Sequence, residues 1–230
     1  MDYIFEGFIN AIRMLTSLDR EILAVTIVSL KVSATSTLLA TVMGVPLGFL
    51  VAARDFQGKR WVVMILNTLM SIPSVLVGLL VYSFLSRRGL FGSMGFLYTP
   101  YAMIMGQTLL AFPIIAVLSL SATQGADKRV ERTAMSLGAN RIQTALLVLV
   151  EVRFAMFAAI ITGFSRIFSE VGVSMMLGGN IWGYTRNITT AIALETGKGE
   201  FALGIALGMI MLTIALLINI LLNYFQGKGG

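Results

Sequence analysis

Cysteine and histidine are both absent from this 230-residue chain. Without thiols there is no disulfide framework, no thiolate nucleophile and no cysteine metal site. Without imidazole, the commonest general base and the commonest transition-metal ligand are missing. Charge is scarce as well. Asp, Glu, Lys and Arg make up 12% of the residues, about half the roughly 25% of a soluble domain. Hydrophobic residues account for 57%, and the mean hydropathy is +0.88. Apolar runs long enough to cross a bilayer recur, so the sequence describes an all-α, polytopic membrane protein. The net charge of +6 then reports on orientation and contact with the lipid bilayer, and no nucleic-acid partner is expected.

About five segments reach the ~20 residues that a span requires: 21–53, 61–86, 98–123, 141–177 and 201–225. They form one transmembrane domain over 21–226, with a short tail at 227–230. Pro46, Pro73 and Pro113 lie inside three of these segments and predict bends there. The segment 141–177 is too long for one straight crossing. Ahead of the spans, Asp2, Glu6 and Arg13 interrupt what would be a signal-peptide core. Phe5, Phe8, Ile9, Ile12 and Leu15 recur at helical spacing, which suits a helix over 1–20 lying in the membrane interface or packing on the bundle. Asp19 is placed to cap the first span. Counting Lys and Arg puts Arg54, Lys59, Arg60, Lys128, Arg129, Arg132, Arg141 and Lys228 on one side. Arg13, Arg20, Arg87, Arg88, Arg186 and Lys198 fall on the other. The positive-inside rule then sets the N-terminus outside and the C-terminus in the cytoplasm.

The polar stretch 127–143 breaks the apolar pattern. Asp127 can cap a short helix. Val130, Ala134 and Leu137 form a thin apolar stripe on it. Gly138 suits the left-handed position past a helix end. Asn140 with Gln143 makes a second start of the capping-box type. The stretch reads as a helix, a turn at Gly138 and Ala139, and a new helix leaving at an angle. Such an elbow serves either a soluble partner that grips it or packing on its own bundle.

Charges inside the spans are few. Arg166 and Glu170 are four apart on one helix face, where unpaired ions cost about 2.5–3.5 kcal/mol each. They form either a fixed structural pair or an element holding that span against a pathway or partner. Glu151 and Arg153, two apart, point to different faces and are not a mutual pair. Lys31 can snorkel. Glycines four apart in "GVPLG" (Gly44, Gly48) and "GIALG" (Gly204, Gly208) allow close helix approach, within one subunit or between two.

On the elbow the chain resembles the membrane subunits of bacterial and archaeal ABC importers, whose shared motif is Glu-Ala-Ala, a Gly six residues after the Glu, then Ile-x-Leu-Pro. Gly138 matches the Gly, and Thr133 and Ala134 fall on the two alanines. Val148 and Val150 fit the Ile and Leu. Arg132 stands in the place of the acid, with Glu131 one position earlier, and Glu151 stands in the place of the Pro. A second stretch, "FSRIFSEVGVSMMLGGNIWGYTRNITTAIALETGKGEFALGIALG", is similar to the oxyanion permeases among these subunits, most of all those for tungstate. Molybdate and sulfate permeases share it more loosely.

The resemblance implies a type I ABC importer permease core with a cytoplasmic coupling helix, sitting in the cell (inner) membrane as a homodimer. It implies a transport subunit that is not itself an enzyme and carries no cofactor. ATP and Mg would be bound by separate ATPase chains gripping Glu131, Arg132, Thr133, Ala134, Leu137, Gly138, Ala139 and Asn140. The absence of a GxxxxGK[ST] phosphate loop agrees. An extracytoplasmic tungstate- or oxyanion-binding protein would deliver substrate to the outer loops at 86–98 and 178–200. Candidate weak donors along the path are Ser71 and Ser74 around Pro73, and Gln107 and Thr108 before Pro113; each also has an ordinary role bonding its own helix or a neighbour. Three other classes compete: an ATP-independent channel or carrier, an intramembrane enzyme and a scaffold subunit. No inverted repeat supports the carrier, and no spanning Asp pair supports the enzyme.

Overall fold

The computed structural model describes residues 20–227 together with Ile9, Ile12 and Arg13, with side chains followed through Ile220. The helix expected over 1–20, its cap Asp19 and the tail beyond Gly227 lie outside the described residues. All described secondary structure is helical.

Helix α1 (Arg20–Ala53) is followed by α2 (Lys59–Met70) and α3 (Ser74–Leu85). A short turn at Gly92–Met94 leads into α4 (Pro100–Gln124). Then come α5 (Lys128–Ser136), α6 (Arg141–Glu151), α7 (Arg153–Phe168) and α8 (Gly172–Gly178). The chain closes with α9 (Ile188–Gly197) and α10 (Phe201–Gly227). Helices α1, α4 and α10 are long and apolar enough to cross a membrane unaided, and the count reaches five if each of two bent pairs forms one span.

The bent pairs have different causes. Between α2 and α3 the axis turns by 97°. Each of these helices has 12 residues, about 18 Å at 1.5 Å per residue, against a hydrocarbon core of about 30 Å. Pro73 donates no hydrogen bond and disfavours helical backbone at Ile72. The Ser71 N–H closes a tight turn on Thr68 O at 3.0 Å. Pro46 and Pro113, by contrast, lie within helices that run through them unbroken. Between α6 and α7 the turn is 65° and no proline is present. The break falls at Val152, directly after Glu151, and Arg153 Nη1 donates to the Val150 carbonyl there at 3.1 Å. The region 178–200, expected as a loop, contains α9, whose Ile188, Thr189, Thr190 and Ala191 are buried.

The core is built on α1 against α4. Of the two glycine pairs, Gly44 and Gly48 meet the α4 backbone around Phe112, Ala116 and Leu120, whereas Gly208 faces open space. The first pair therefore brings two helices of one subunit together. One apolar cluster joins α1, α3, α4, α7 and α8 through Ala40, Val81, Ile115, Ile167 and Leu177. A second joins α1, α7, α9 and α10 through Ile22, Phe168, Ile188 and Leu207.

Candidate functional site

Three local features stand out. The first is the elbow. The Asp127 carboxylate accepts from Arg129 N at 2.9 Å and starts α5. At its end, Ala139 N donates to Ala134 O and Gly138 N to Met135 O, both at 3.0 Å. This is the paired bonding that closes a helix on a left-handed residue, and Gly138 has φ +86°. Asn140 Oδ1 then accepts from Ile142 N and Gln143 N, while Gln143 Oε1 accepts from Asn140 N at 2.8 Å. Two capped helices thus meet at one glycine. Among the described residues, the only extensive neighbour of α5 is α6, so the elbow projects from the bundle they form.

The expected stripe on α5 is only partly turned inward. Ala134 is buried and Val130 half-buried, but Leu137 is 81% exposed. Leu137 is the residue after the last helical turn, so the closing glycine motif swings it off the stripe. With Met135 and Ile142 it leaves an apolar surface facing outward. Glu131, Arg132 and Thr133 are exposed beside it.

The second feature is a buried polar network that joins α1, α4, α8 and α9. Gln107 on α4 is 1% exposed. Its amide donates to Ser174 Oγ at 3.2 Å, and its oxygen accepts from Ser33 Oγ at 3.5 Å. Asn187 Nδ2 donates to the same Ser174 oxygen at 3.1 Å. Asn187 Oδ1 accepts from Thr190 N and Thr189 Oγ1, capping α9. Ser29 Oγ accepts from Ile188 N at 2.8 Å. Of this set, Gln107 alone is among the pathway candidates. The buried residues Ser29, Ser33, Ser36 and Thr37 recur on one face of α1, and that spacing was the available signal.

Replacing Asn187 with Ala removes a cap and several buried bonds at once, a loss of about 1–3 kcal/mol. The thermal midpoint in detergent is expected to fall by roughly 2–12 °C. An unchanged midpoint contradicts this role.

The third feature is ionic. Arg166 Nη1 lies 2.7 Å from Glu170 Oε2. Glu170 Oε1 accepts from Gly172 N at 2.9 Å and from Val173 N at 3.4 Å. The Ser74 hydroxyl lies near the same carboxylate, both of them beside Gly172. Ser74 and Glu170 thereby come close across the α3–α8 boundary, a proximity not evident from sequence. The pathway candidates separate. Ser71 and Pro73 are exposed at the 97° bend and Ser74 is half-buried beside them. Gln107 is interior, and Thr108 Oγ1 donates to Ser36 O at 3.4 Å. Glu151 and Arg153 are exposed at the second break, with the Arg153 guanidinium 4.6 Å from the Phe154 ring centre.

Residues 44–228 match the family of binding-protein-dependent transport system inner membrane components. The chain belongs to that family. It is 42% identical to the tungstate uptake system permease protein TupB of Peptoclostridium acidaminophilum, over 98% of this chain and 99% of that one. It is 39% identical to the TupB of Campylobacter jejuni, over 95% and 92%. Among solved structures, a bacterial alginate ABC transporter in complex with an alginate pentasaccharide-bound periplasmic protein superposes with a TM-score of 0.76 at 19% identity. That superposition covers 94% of this chain and 82% of the other. The fold is that of a type I ABC importer permease, and the chain is a membrane transport subunit.

Proposed function

We propose that this permease imports tungstate in an ATP-driven complex, as a homodimer served by separate ATPase chains and an extracytoplasmic binding protein. The elbow carries this reading. A rigid, doubly capped pair of helices projects from the bundle with Leu137, Met135 and Ile142 outward. An isolated membrane subunit gains nothing from exposing them to water; an ATPase that docks there gains an apolar anchor. Near full-length identity to two tungstate permeases supports the substrate class. The elbow, with Lys128, Arg129, Arg132 and Arg141 on it, lies in the cytoplasm, which puts the N-terminus outside and the C-terminus inside. ATP closes the ATPases, the elbows move together, and the helices rock between inward and outward states.

The test is co-expression with an ATPase and a secreted oxyanion-binding protein, reconstitution in vesicles, and tungstate uptake with molybdate as competitor. ATP-dependent, binding-protein-dependent uptake with tungstate preferred is expected. ATP-independent flux through the purified permease overturns the reading.

Gly138→Leu probes the coupling step. No atom lies within 4 Å of an added Cβ, so the penalty is backbone alone, about 1–2 kcal/mol for a side chain in the left-handed region. The turn opens to relieve it. Membrane insertion and ATP hydrolysis should persist while uptake falls several-fold. Gly138→Asn, which tolerates this conformation, should retain most uptake. Normal uptake by the Leu variant contradicts a stiff elbow.

A further inference from the structure

We propose that Arg166 contacts the oxyanion during passage, as the cation that the substrate meets part-way through the membrane. This rests on the transport reading above and adds to it a residue and a reason.

The Arg166–Glu170 pair is lopsided. The Glu170 side chain is 5% exposed and that of Arg166 is 43% exposed. The carboxylate is held by Arg166 and by two backbone N–H groups at the start of α8. The guanidinium has five donors and gives one of them to Glu170. The acid is locked inside and the base is left open. A closed structural clasp would bury both.

Arg166 does not stand alone on its face. Thr162, Ser165, Arg166 and Ser169 are all exposed, at the spacing that lines up one side of a helix. The packed side of α7 is different: it carries Ala159, Gly163 and Ile167, with Gly163 against Ile115 of α4. The hydroxyls of Thr162 and Ser169 bond carbonyls of their own helix; the cation among them is costly against lipid at membrane depth and belongs beside water or protein. Glu170 and Ser74 flank Gly172 together, which sets the Arg166 end of this stripe beside the start of α3, directly after the 97° bend. Irregular backbone at membrane depth is tolerated where it lines a water-filled cavity. The charged stripe and the broken span therefore border one aqueous route.

The chemistry suits a dianion in transit. A guanidinium fork matches paired oxyanion oxygens. A bare cation would hold a dianion too firmly for conduction. Glu170, bonded to Arg166, offsets part of that charge, so the anion is recognised and released.

The test uses the vesicle-reconstituted complex with tungstate itself as the probe. Arg166→Gln should lower uptake at least about tenfold with dimer elution unchanged, and with a lower thermal midpoint because Glu170 loses its ion partner. Arg166→Lys should recover a substantial part of it. The double swap Arg166→Glu with Glu170→Arg restores a pair but turns an acid outward, and should remain inactive. Restored uptake in the swap would mean a structural clasp and overturn the proposal. So would normal uptake by Arg166→Gln, or its dissociation into monomers, which would assign Arg166 to a subunit contact. No tungstate uptake by the unmodified complex overturns the transport reading first, and this one with it.

Discussion

Leu137→Glu is expected to insert and fold normally yet to lose ATP-driven uptake. The side chain is 81% exposed and follows the last turn of α5, so the isolated permease loses almost no packing when it changes. A docking ATPase meets the opposite situation. An apolar anchor central to an interface is worth about 2 kcal/mol or more, and a carboxylate buried in its place adds a desolvation penalty. Co-purification of the ATPase should drop by at least about thirtyfold, and uptake should fall to background. The nearby Ser136→Ala, which deletes only an exposed hydroxyl bonded to its own helix, should change both by less than about twofold. Unaltered co-purification of Leu137→Glu would show that the partner docks elsewhere.

Gly48→Leu should fail earlier, at assembly of the permease itself. A Cβ at Gly48 would stand 2.3 Å from Ala116 O and 2.9 Å from Leu120 N. Both are backbone atoms of α4, so no rotamer change relieves the overlap. The helices α1 and α4 must separate, and both apolar clusters hang on α1. Overpacking a core costs about 1–3 kcal/mol when side chains can shift; here the cost exceeds that, and no monodisperse peak in detergent is expected. Gly208→Leu is the matched control. It belongs to the second glycine pair but meets nothing within 4 Å, so it should elute as the unmodified protein does. Equal behaviour of the two variants would refute the close approach of α1 to α4.

Local bonding explains how much of the elbow was legible in the sequence. Asp127, Gly138, Asn140 and Gln143 each act on backbone within four residues, so their side-chain chemistry and spacing suffice to read two helices and a turn. The same holds for Arg166 and Glu170, one helical turn apart. The α6–α7 bend was less legible. The family motif places a proline where Glu151 stands, and the chain bends beside it without one. Leu137 shows the limit of periodicity: the stripe of Val130, Ala134 and Leu137 is regular in sequence, but the helix ends before its last member.

Hydrophobic run length and the near absence of charge determined by themselves that the chain is a helical membrane protein of about five crossings. Spacing determined where its elbow turns. Only the tertiary structure decided which glycine pair sets both its members against the backbone of another helix, since both pairs have the same spacing but Gly44 and Gly48 meet α4 backbone while Gly204 meets Thr196 and Gly208 open space. It alone brought Ser33, Gln107, Ser174 and Asn187 into one network, because those contacts join residues 67 and 74 apart in the chain. It alone showed Glu170 turned inward and Arg166 outward. Sequence spacing can place two charges on one helix face; what packs against that face decides which of them is buried.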